Sequence, residues 1–441
     1  MSEIIELATE ILKWIPLCDR CLGRIFSTYG RNMSNKIRGL AIKTLLTMNI
    51  ENIVNKFDDE ELKRFALNIK FKPFILTLKE LKSISIDLNE EPKCFICEDV
   101  LEHVIDYFSK QILKETINYE FNTFLIGVHA PKNILKKEEE LTAKFKIESY
   151  ESIKNEIKRE IGKLVRDKVN KTPEFMDPDV VFEINLASNS LIVHAKPIFI
   201  CGKYVKTARR ISQVKWLIWK NGKQIRKYRI SVEDSIKPLA EIFKAEDAIL
   251  HAAGREDVDV RMLGKGRPMI VEIRKPKLRK ITANRLREAE ERIEKASEEL
   301  IKVFLEGKTV RENVRKIKEE SKKHIKIYRA LIVSESKIEK DKLAKLEEFF
   351  RNKIISQRTP LRVLRRRPDI LREKTVYSVK TYYVDDNLFE ALIKCDGGLY
   401  VKELISGDSG RTQPSFSSAL GLNLKCIELD VLHVSLTWGL T

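Results

Sequence analysis

The chain changes its hydrophobic rhythm twice. Residues 4–15 place Ile, Leu and Ala at helical spacing, and residues 51–67 and 74–84 repeat that amphipathic spacing in shorter pieces. The first hundred residues are therefore predicted to be helical. From about residue 118 the pattern shifts. Residues 121–128, Phe-Asn-Thr-Phe-Leu-Ile-Gly-Val, form an apolar run of strand length, and residues 151–169 return to helical spacing. Residues 180–186 and 191–194 then read as strands joined by Ala187, Ser188, Asn189 and Ser190, a hairpin signal.

A third pattern begins near residue 231. Residues 232–244 are predicted as a helix with Pro238 close to its start. A strand follows Arg261 and resumes at residues 269–273. Residues 281–304 and 310–323 read as two charged helices with one apolar stripe each. Residues 326–334, 376–384, 388–395 and 427–436 supply further strands. The result is an α+β chain in three segments: 1–117, helical; 118–230, an α+β module; and 231–441, rich in strands. No internal repeat or low-complexity linker interrupts it.

Composition narrows the class. The apolar fraction of 43% suits a globular protein, and no apolar run is long enough to cross a bilayer. The opening residues lack a charged-then-apolar leader, so a soluble cytoplasmic protein is expected. Net charge is +18, and it is clustered. Residues 203–229 hold ten Lys and Arg, no Asp or Glu, and the interleaved aromatics Tyr204, Trp216, Trp219 and Tyr228. Residues 351–372 form a second basic stretch that includes Arg365, Arg366 and Arg367. A solvated basic face would need no such clustering. Phosphate neutralisation with base stacking does, and single-stranded or folded RNA suits it better than duplex DNA.

Four of the seven cysteines fall as Cys18-x-x-Cys21 and Cys94-x-x-Cys97. Paired knuckles of this kind in an intracellular protein point to a structural four-thiolate zinc site that ties two distant segments together. Disulfides are disfavoured in that compartment, and two copies of the motif fit a metal better than a redox centre.

The chemistry rests on four short stretches. Gly254-Arg255-Glu256-Asp257-Val258-Asp259-Val260 is by itself an ordinary turn before a strand. Lys326-Ile327-Tyr328-Arg329-Ala330 puts one Tyr in a β-like run. Gly397-Gly398-Leu399-Tyr400-Val401-Lys402-Glu403-Leu404 joins a tight turn to a helix-like segment, and Cys426-Ile427-Glu428-Leu429-Asp430 reads as a late strand. Together and in this order they resemble the pseudouridine synthases. Their branch of archaeal and eukaryotic enzymes acting on tRNA uridines 54 and 55 is similar in three further stretches: residues 261–268, Gln357-Arg358-Thr359-Pro360-Leu361-Arg362-Val363, and Ser409-Gly410-Arg411-Thr412-Gln413-Pro414-Ser415, together with the cysteine knuckles. Residues 178–213 are similar to a THUMP domain, a tRNA-binding module.

That resemblance implies a zinc-bearing and THUMP-like N-terminal region followed by a catalytic domain with a mixed, mainly antiparallel sheet. It implies isomerisation of T-arm uridine to pseudouridine, with tRNA as partner, no membrane and no organic cofactor. Asp257 would be the catalytic carboxylate, acting as nucleophile or as base toward a sugar proton. Tyr328 would stack on the base, Lys402 would pair with Asp257, and Leu429 would wall the pocket. Asp259 is the nearest rival of Asp257, and Glu256 is expected to point away. Tyr204, Lys206, Arg209, Arg210, Arg255, Arg267, Arg358, Arg365, Arg366 and Arg411 are the candidate RNA contacts. The rival reading is a non-catalytic THUMP-type tRNA-binding protein; a THUMP-linked methyltransferase or thiolase finds no support, because no G-x-G-x-x-G follows a strand in this chain. Gly407-Asp408-Ser409-Gly410 matches a serine-protease tetrapeptide, but its basic, helix-like setting does not suit that chemistry. Nothing in the pattern suggests an oligomer seam, so a monomer is expected.

Overall fold

The structure is a computed structural model that describes residues 2–87, 89, 91–319 and 324–435. The chain divides into two compact units, Met1–Ala195 and Lys196–Thr441, each with its own apolar core.

Helices Ser2–Trp14, Asp19–Ile25, Asn35–Met48, Asp59–Ile69, Lys72–Lys82 and Leu101–Thr116 build most of the first unit. Helix Asp59–Ile69 opens on a capping box, in which Asp58 and Glu61 each accept a hydrogen bond from the other's backbone N–H. Helix Asp19–Ile25, which carries Cys21, crosses Asn35–Met48 at a pair of glycines. A Cβ at Gly23 would lie 1.9 Å from the Asn35 carbonyl oxygen, and one at Gly39 would lie 1.9 Å from that of Asp19. Only glycine permits that approach.

The sheet of this unit runs Thr172–Pro173, Thr123–His129, Val180–Asn185, Ser190–Ala195. Thr123–His129 and Val180–Asn185 are parallel, so they need the long crossover that holds helices Lys132–Lys144 and Ile153–Val169. Ile153, Ile157, Ile161 and Val165 form the buried stripe of the second helix. Val180–Asn185 and Ser190–Ala195 form the expected antiparallel hairpin.

The second unit is organised by a ten-stranded sheet. From one edge its order is Ile301–Thr309, Ile198–Lys206, Arg261–Arg274, Leu424–Val434, Ile325–Ser334, Leu388–Asp396, Leu371–Asp385, Lys353–Arg358, Thr412–Gln413. Asp247–Ala252 pairs with Arg261–Arg274 off that path. Leu424–Val434 and Arg261–Arg274 run parallel; the other pairs are antiparallel. Strand Ile198–Lys206, which the sequence grouped with the module before it, hydrogen-bonds within this sheet.

Two expected helices differ. Residues 281–304 divide into helix Ala283–Ala296 and strand Ile301–Thr309. Ser297 caps the helix, and Glu298 and Glu299 take left-handed φ values of 54° and 61°. Beyond them Ile301 and Val303 are buried while Lys302 and Phe304 are exposed, a period of two that the longer helical stripe hid. Residues 232–244 break into Val232–Ser235 and Pro238–Ile242, because Pro238 has no N–H to continue a helix. The helix expected over residues 310–323 is seen at Arg311–Glu319; residues 320–323 lie outside the described residues, as does residue 436 of the last expected strand.

Candidate active site

Residues 253–260 form a loop, not a strand, between Asp247–Ala252 and Arg261–Arg274. The Gly254 carbonyl accepts from Gln213 Nε2 at 2.9 Å, and the Val258 carbonyl accepts from the Arg210 backbone N–H at 2.8 Å. Side chains leave this loop in opposite directions. Glu256 is buried and accepts from Arg267 Nε at 2.8 Å and the Tyr204 hydroxyl at 3.0 Å, with Lys206 Nζ at 3.3 Å. Burial pushes its carboxyl up, but the Arg267 and Lys206 charges outweigh that and hold it below the usual carboxylate range. Asp257 and Asp259 face the other way and are partly or fully exposed.

This overturns three of the expected RNA contacts. Tyr204 and Lys206 are 0% exposed and Arg267 is 1% exposed, so none can meet a phosphate. They form the foundation beneath the loop instead. Lys206 also donates to the carbonyls of Ile211 and Asp257.

The expected pairing of Lys402 with Asp257 is corrected as well. Helix Val401–Ser406 places Lys402 Nζ 2.5 Å from Asp259 Oδ2. The cation on Asp257 is Arg362, whose Nη1 lies 2.9 Å from Asp257 Oδ2. Arg362 comes from the short 3-10 helix Leu361–Arg366, and its Nε donates to the buried Glu403 at 2.7 Å. Neither Arg362 nor Glu403 was singled out by sequence. Both stood inside quoted stretches, but no spacing rule links residues 362, 403 and 257.

Tyr328 and Leu429 lie on adjacent central strands. Ala330 faces Leu429 and Tyr328 faces Val431, so Tyr328 and Leu429 are diagonal neighbours on one face. Burial, and then the Cys395 thiol, raise the Tyr328 hydroxyl above its ordinary value, with Asp257 among the anions that add to the effect. The Tyr328 hydroxyl therefore stays protonated. Lys326, on the same strand, is pushed down to about 8 by burial and then by Arg267.

A second network fastens the loop to Leu424–Val434. The buried Asp430 carboxylate accepts from Arg261 at 2.8 and 2.7 Å, Arg209 at 3.0 Å and Arg329 at 3.2 Å. Arg209 also donates to the carbonyls of Asp259 at 3.0 Å and Leu429 at 2.8 Å. It thus acts as a clamp between the two elements.

Among the remaining candidates, Arg210, Arg255, Arg358, Arg365 and Arg366 are exposed. Arg358 lies 3.3 Å from Asp369. Arg411 is committed to the Thr359 carbonyl at 2.9 Å and to Asp369 at 2.5 Å. Arg366 lies over the Trp216 ring at 5.1 Å. Trp216 introduces the two-stranded hairpin Leu217–Lys220 and Lys223–Arg226, where Trp219 is 73% exposed.

In the first unit the Sγ atoms of Cys18, Cys21, Cys94 and Cys97 all lie within 4.8 Å of one another, with Cys18 and Cys97 at 3.6 Å. A tetrahedral site with bonds of about 2.3 Å has sulfur–sulfur edges of about 3.8 Å, so the cluster can hold a metal ion. Arg24 Nη2 lies 3.4 Å from Cys21 Sγ, placing a positive charge beside the thiolates. The same unit has a cavity of about 680 Å³ lined by Lys158, Gly162, Lys163 and Arg166 of one helix and by Phe124 and Phe175. Among the described residues no helix is long and apolar enough to cross a membrane.

The family model described as Pus10, C-terminal, matches residues 199–435, and the one described as Pus10 THUMP domain, archaeal, matches residues 108–185. The chain is 41% identical to the tRNA pseudouridine synthase Pus10 of Ignisphaera aggregans, over 98% of this chain and 99% of that one. It is 40% identical to the protein of the same name from Methanocaldococcus jannaschii, over 96% of this chain and 93% of the relative. A solved Cbf5–Nop10–Gar1 complex gives a TM-score of 0.29 at 17% identity, covering 53% of this chain and 48% of the matched one.

Proposed function

The chain belongs to the Pus10 family of tRNA pseudouridine synthases, and from that premise we propose that it isomerises uridine to pseudouridine in the T arm of tRNA, at position 54, 55 or both, with Asp257 as the catalytic carboxylate. The observation that supports this reading best is an arginine-paired Asp257 whose charge acts on the Tyr328 hydroxyl, with Leu429 beside that tyrosine on a sheet face.

Those groups suit the chemistry. The N1–C1′ glycosidic bond breaks, a C5–C1′ bond forms, a proton leaves C5 and N1 gains one. Atoms are conserved and no electrons are exchanged, so the isomerisation balances without a redox or group-transfer partner. Asp257 must be ionised, whether it attacks or removes a proton. The Arg362 guanidinium lies against that carboxylate as a fixed cation, since it does not deprotonate in a protein. Tyr328, held protonated, offers a flat ring for the flipped base and a hydroxyl near the proton to be moved. Leu429 supplies an apolar wall. Lys402 acts on Asp257 only through the loop, by holding Asp259.

Binding is assigned to surfaces outside this site. The hairpin with Trp219, the exposed arginines 365 and 366, and the basic cavity lined by Lys163 and Arg166 suit phosphates and unstacked bases. The cysteine cluster is assigned to a structural zinc ion that braces the first unit, and the enzyme to the cytoplasm, where its tRNA substrate is found.

The test is an unmodified tRNA transcript incubated with purified protein and no cofactor. Carbodiimide modification and primer extension should then report pseudouridine in the T arm. Absence of product with wild-type protein would leave only the tRNA-binding reading. Product elsewhere in the tRNA would overturn the T-arm assignment alone.

A further inference from the structure

We propose that Arg362 is the positioning residue of the catalytic carboxylate, fixing the orientation of Asp257 through a guanidinium that is itself locked by Glu403. This rests on the reading of Asp257 as the catalyst. Arg362 uses two edges of one planar group: Nη1 meets Asp257 Oδ2 at 2.9 Å and Nε meets Glu403 Oε1 at 2.7 Å. A lysine ammonium is a point charge and cannot span two carboxylates in a fixed fork. Of the lysines nearby, Lys402 is already engaged by Asp259 at 2.5 Å, and Lys206 reaches the Asp257 carbonyl at 3.3 Å.

The segment that presents Arg362 is exposed but is tied down on both flanks. Strand Lys353–Arg358 ends one turn earlier, and Gln357 within it donates to the Tyr400 carbonyl at 3.1 Å and accepts from the Tyr400 N–H at 2.8 Å. The Thr359 hydroxyl donates to the Pro368 carbonyl at 2.8 Å, closing the loop that follows. The Leu361 N–H donates to the Asp408 carboxylate at 3.0 Å. Tyr400 also places its ring 5.9 Å from the Arg362 guanidinium. These contacts fix the backbone on both sides of residue 362, and Glu403, 5% exposed, then fixes the side chain. Gln357, Thr359 and Arg362 thereby acquire a common task that their sequence spacing does not announce. An arginine held this way determines where the Asp257 carboxylate sits, and a carboxylate misplaced by about 1 Å costs on the order of 10²-fold in rate.

Single-turnover rates at saturating tRNA, read together with Kd, test the idea. Arg362→Ala should lower the rate by ~10²-fold with Kd unchanged, and Arg362→Lys should restore part of it. Because Arg362→Ala strands the Glu403 carboxylate, the double variant Arg362→Ala/Glu403→Gln is measured beside it, with thermal melting. A rate loss in the double variant with a retained melting transition supports positioning. A loss confined to Kd would make Arg362 a phosphate contact instead, and an unchanged rate in every variant would exclude any role. Asp257→Asn serves as the control: if it is active, the reading of Asp257 falls first, whereas an inactive Asp257→Asn beside a fully active Arg362→Ala sinks only this inference.

Discussion

The Lys402 ammonium nitrogen lies 2.5 Å from the Asp259 carboxylate, and Asp259 is 65% exposed at its side chain. Burial pushes the Asp259 carboxyl up, but the hydrogen bond and charge of Lys402 outweigh it and hold the group below its ordinary value. The pair is a strut on the rim of the loop. An exposed pair of this kind contributes little to stability, about 0–1 kcal/mol. Asp259→Asn and Lys402→Ala should therefore retain most of the melting temperature and a measurable chemical step. Asp257→Asn should lose the step, a drop of ~10²–10⁴-fold if the group acts in acid–base catalysis and larger if it forms a covalent bond. Single-turnover pseudouridine formation with all three variants decides the matter. If Asp259→Asn is the inactive one, the two carboxylates exchange roles.

Glu256 carries a prediction of the opposite kind. It lies inside the foundation of the loop, against Arg267, Lys206 and Tyr204. Removing its charge leaves two buried cations without their shared partner, which costs ~3–5 kcal/mol by the usual behaviour of broken buried pairs. Glu256→Gln should melt well below wild type even though the residue never meets substrate. The pH dependence has a definite sign. The folded-state pKa of Glu256 is depressed, so its contribution to stability is complete above the ordinary glutamate range. It is lost as pH falls through the folded value. Wild-type protein should lose part of its stability on acidification through that window, and Glu256→Gln should lack that part. Urea melts at neutral and acidic pH measure both.

How far the site was legible depended on whether a residue's role is local or shared. Asp257, Tyr328 and Leu429 stood out because each belongs to a short motif of fixed internal spacing. The hairpin Val180–Asn185 and Ser190–Ala195 stood out because alternation and a turn signal coincide. The charge partners did not stand out. A basic residue near an acidic one in sequence says nothing about which carboxylate it reaches: Lys402 meets Asp259, and Arg362, which no motif singled out, meets Asp257. Tyr204 and Lys206 were misread because a Lys- and Arg-rich stretch looks the same whether its alternate residues face solvent or core. Strand Ile198–Lys206 buries one set inside the sheet. Strand Ile301–Thr309 was hidden for a related reason, since a few apolar residues after a long helix fit either period.

The cysteine cluster predicts a metal-dependent first unit. Four thiolates on two distant segments close a site only if an ion offsets their mutual repulsion, and Arg24, beside Cys21, offsets one part of it. Structural zinc sites of this type contribute folding free energy directly, about 10–16 kcal/mol in small zinc peptides. Metal analysis should find one zinc per chain. Cys94→Ser should lose it, and limited proteolysis should then cut within residues 1–195 before it cuts the second unit. Zinc-free wild-type protein with undiminished protease resistance would rule this out.

The hairpin Leu217–Lys220 and Lys223–Arg226 carries the last prediction. Its two tryptophans are in different states. Trp216 is already engaged, with Lys227 at 4.6 Å and Arg366 at 5.1 Å from its ring. Trp219 stands 73% exposed with basic neighbours, an arrangement that gains nothing from folding and suits a stacked base. Stacking of a base on an aromatic ring is worth ~1–3 kcal/mol. Trp219→Ala should therefore weaken tRNA binding by roughly five- to hundredfold while leaving the rate at saturation intact. Lys220 and Lys223, exposed on the same hairpin, should act differently. Each phosphate contact removed should lower the slope of log Kd against log salt by about one, whereas Trp219→Ala should leave that slope alone. Fluorescence titrations at several salt concentrations separate the two effects. A Trp219→Ala variant that binds as tightly as wild type would move the stacking role elsewhere, and a slope unchanged in Lys220→Ala/Lys223→Ala would remove the hairpin from the phosphate path.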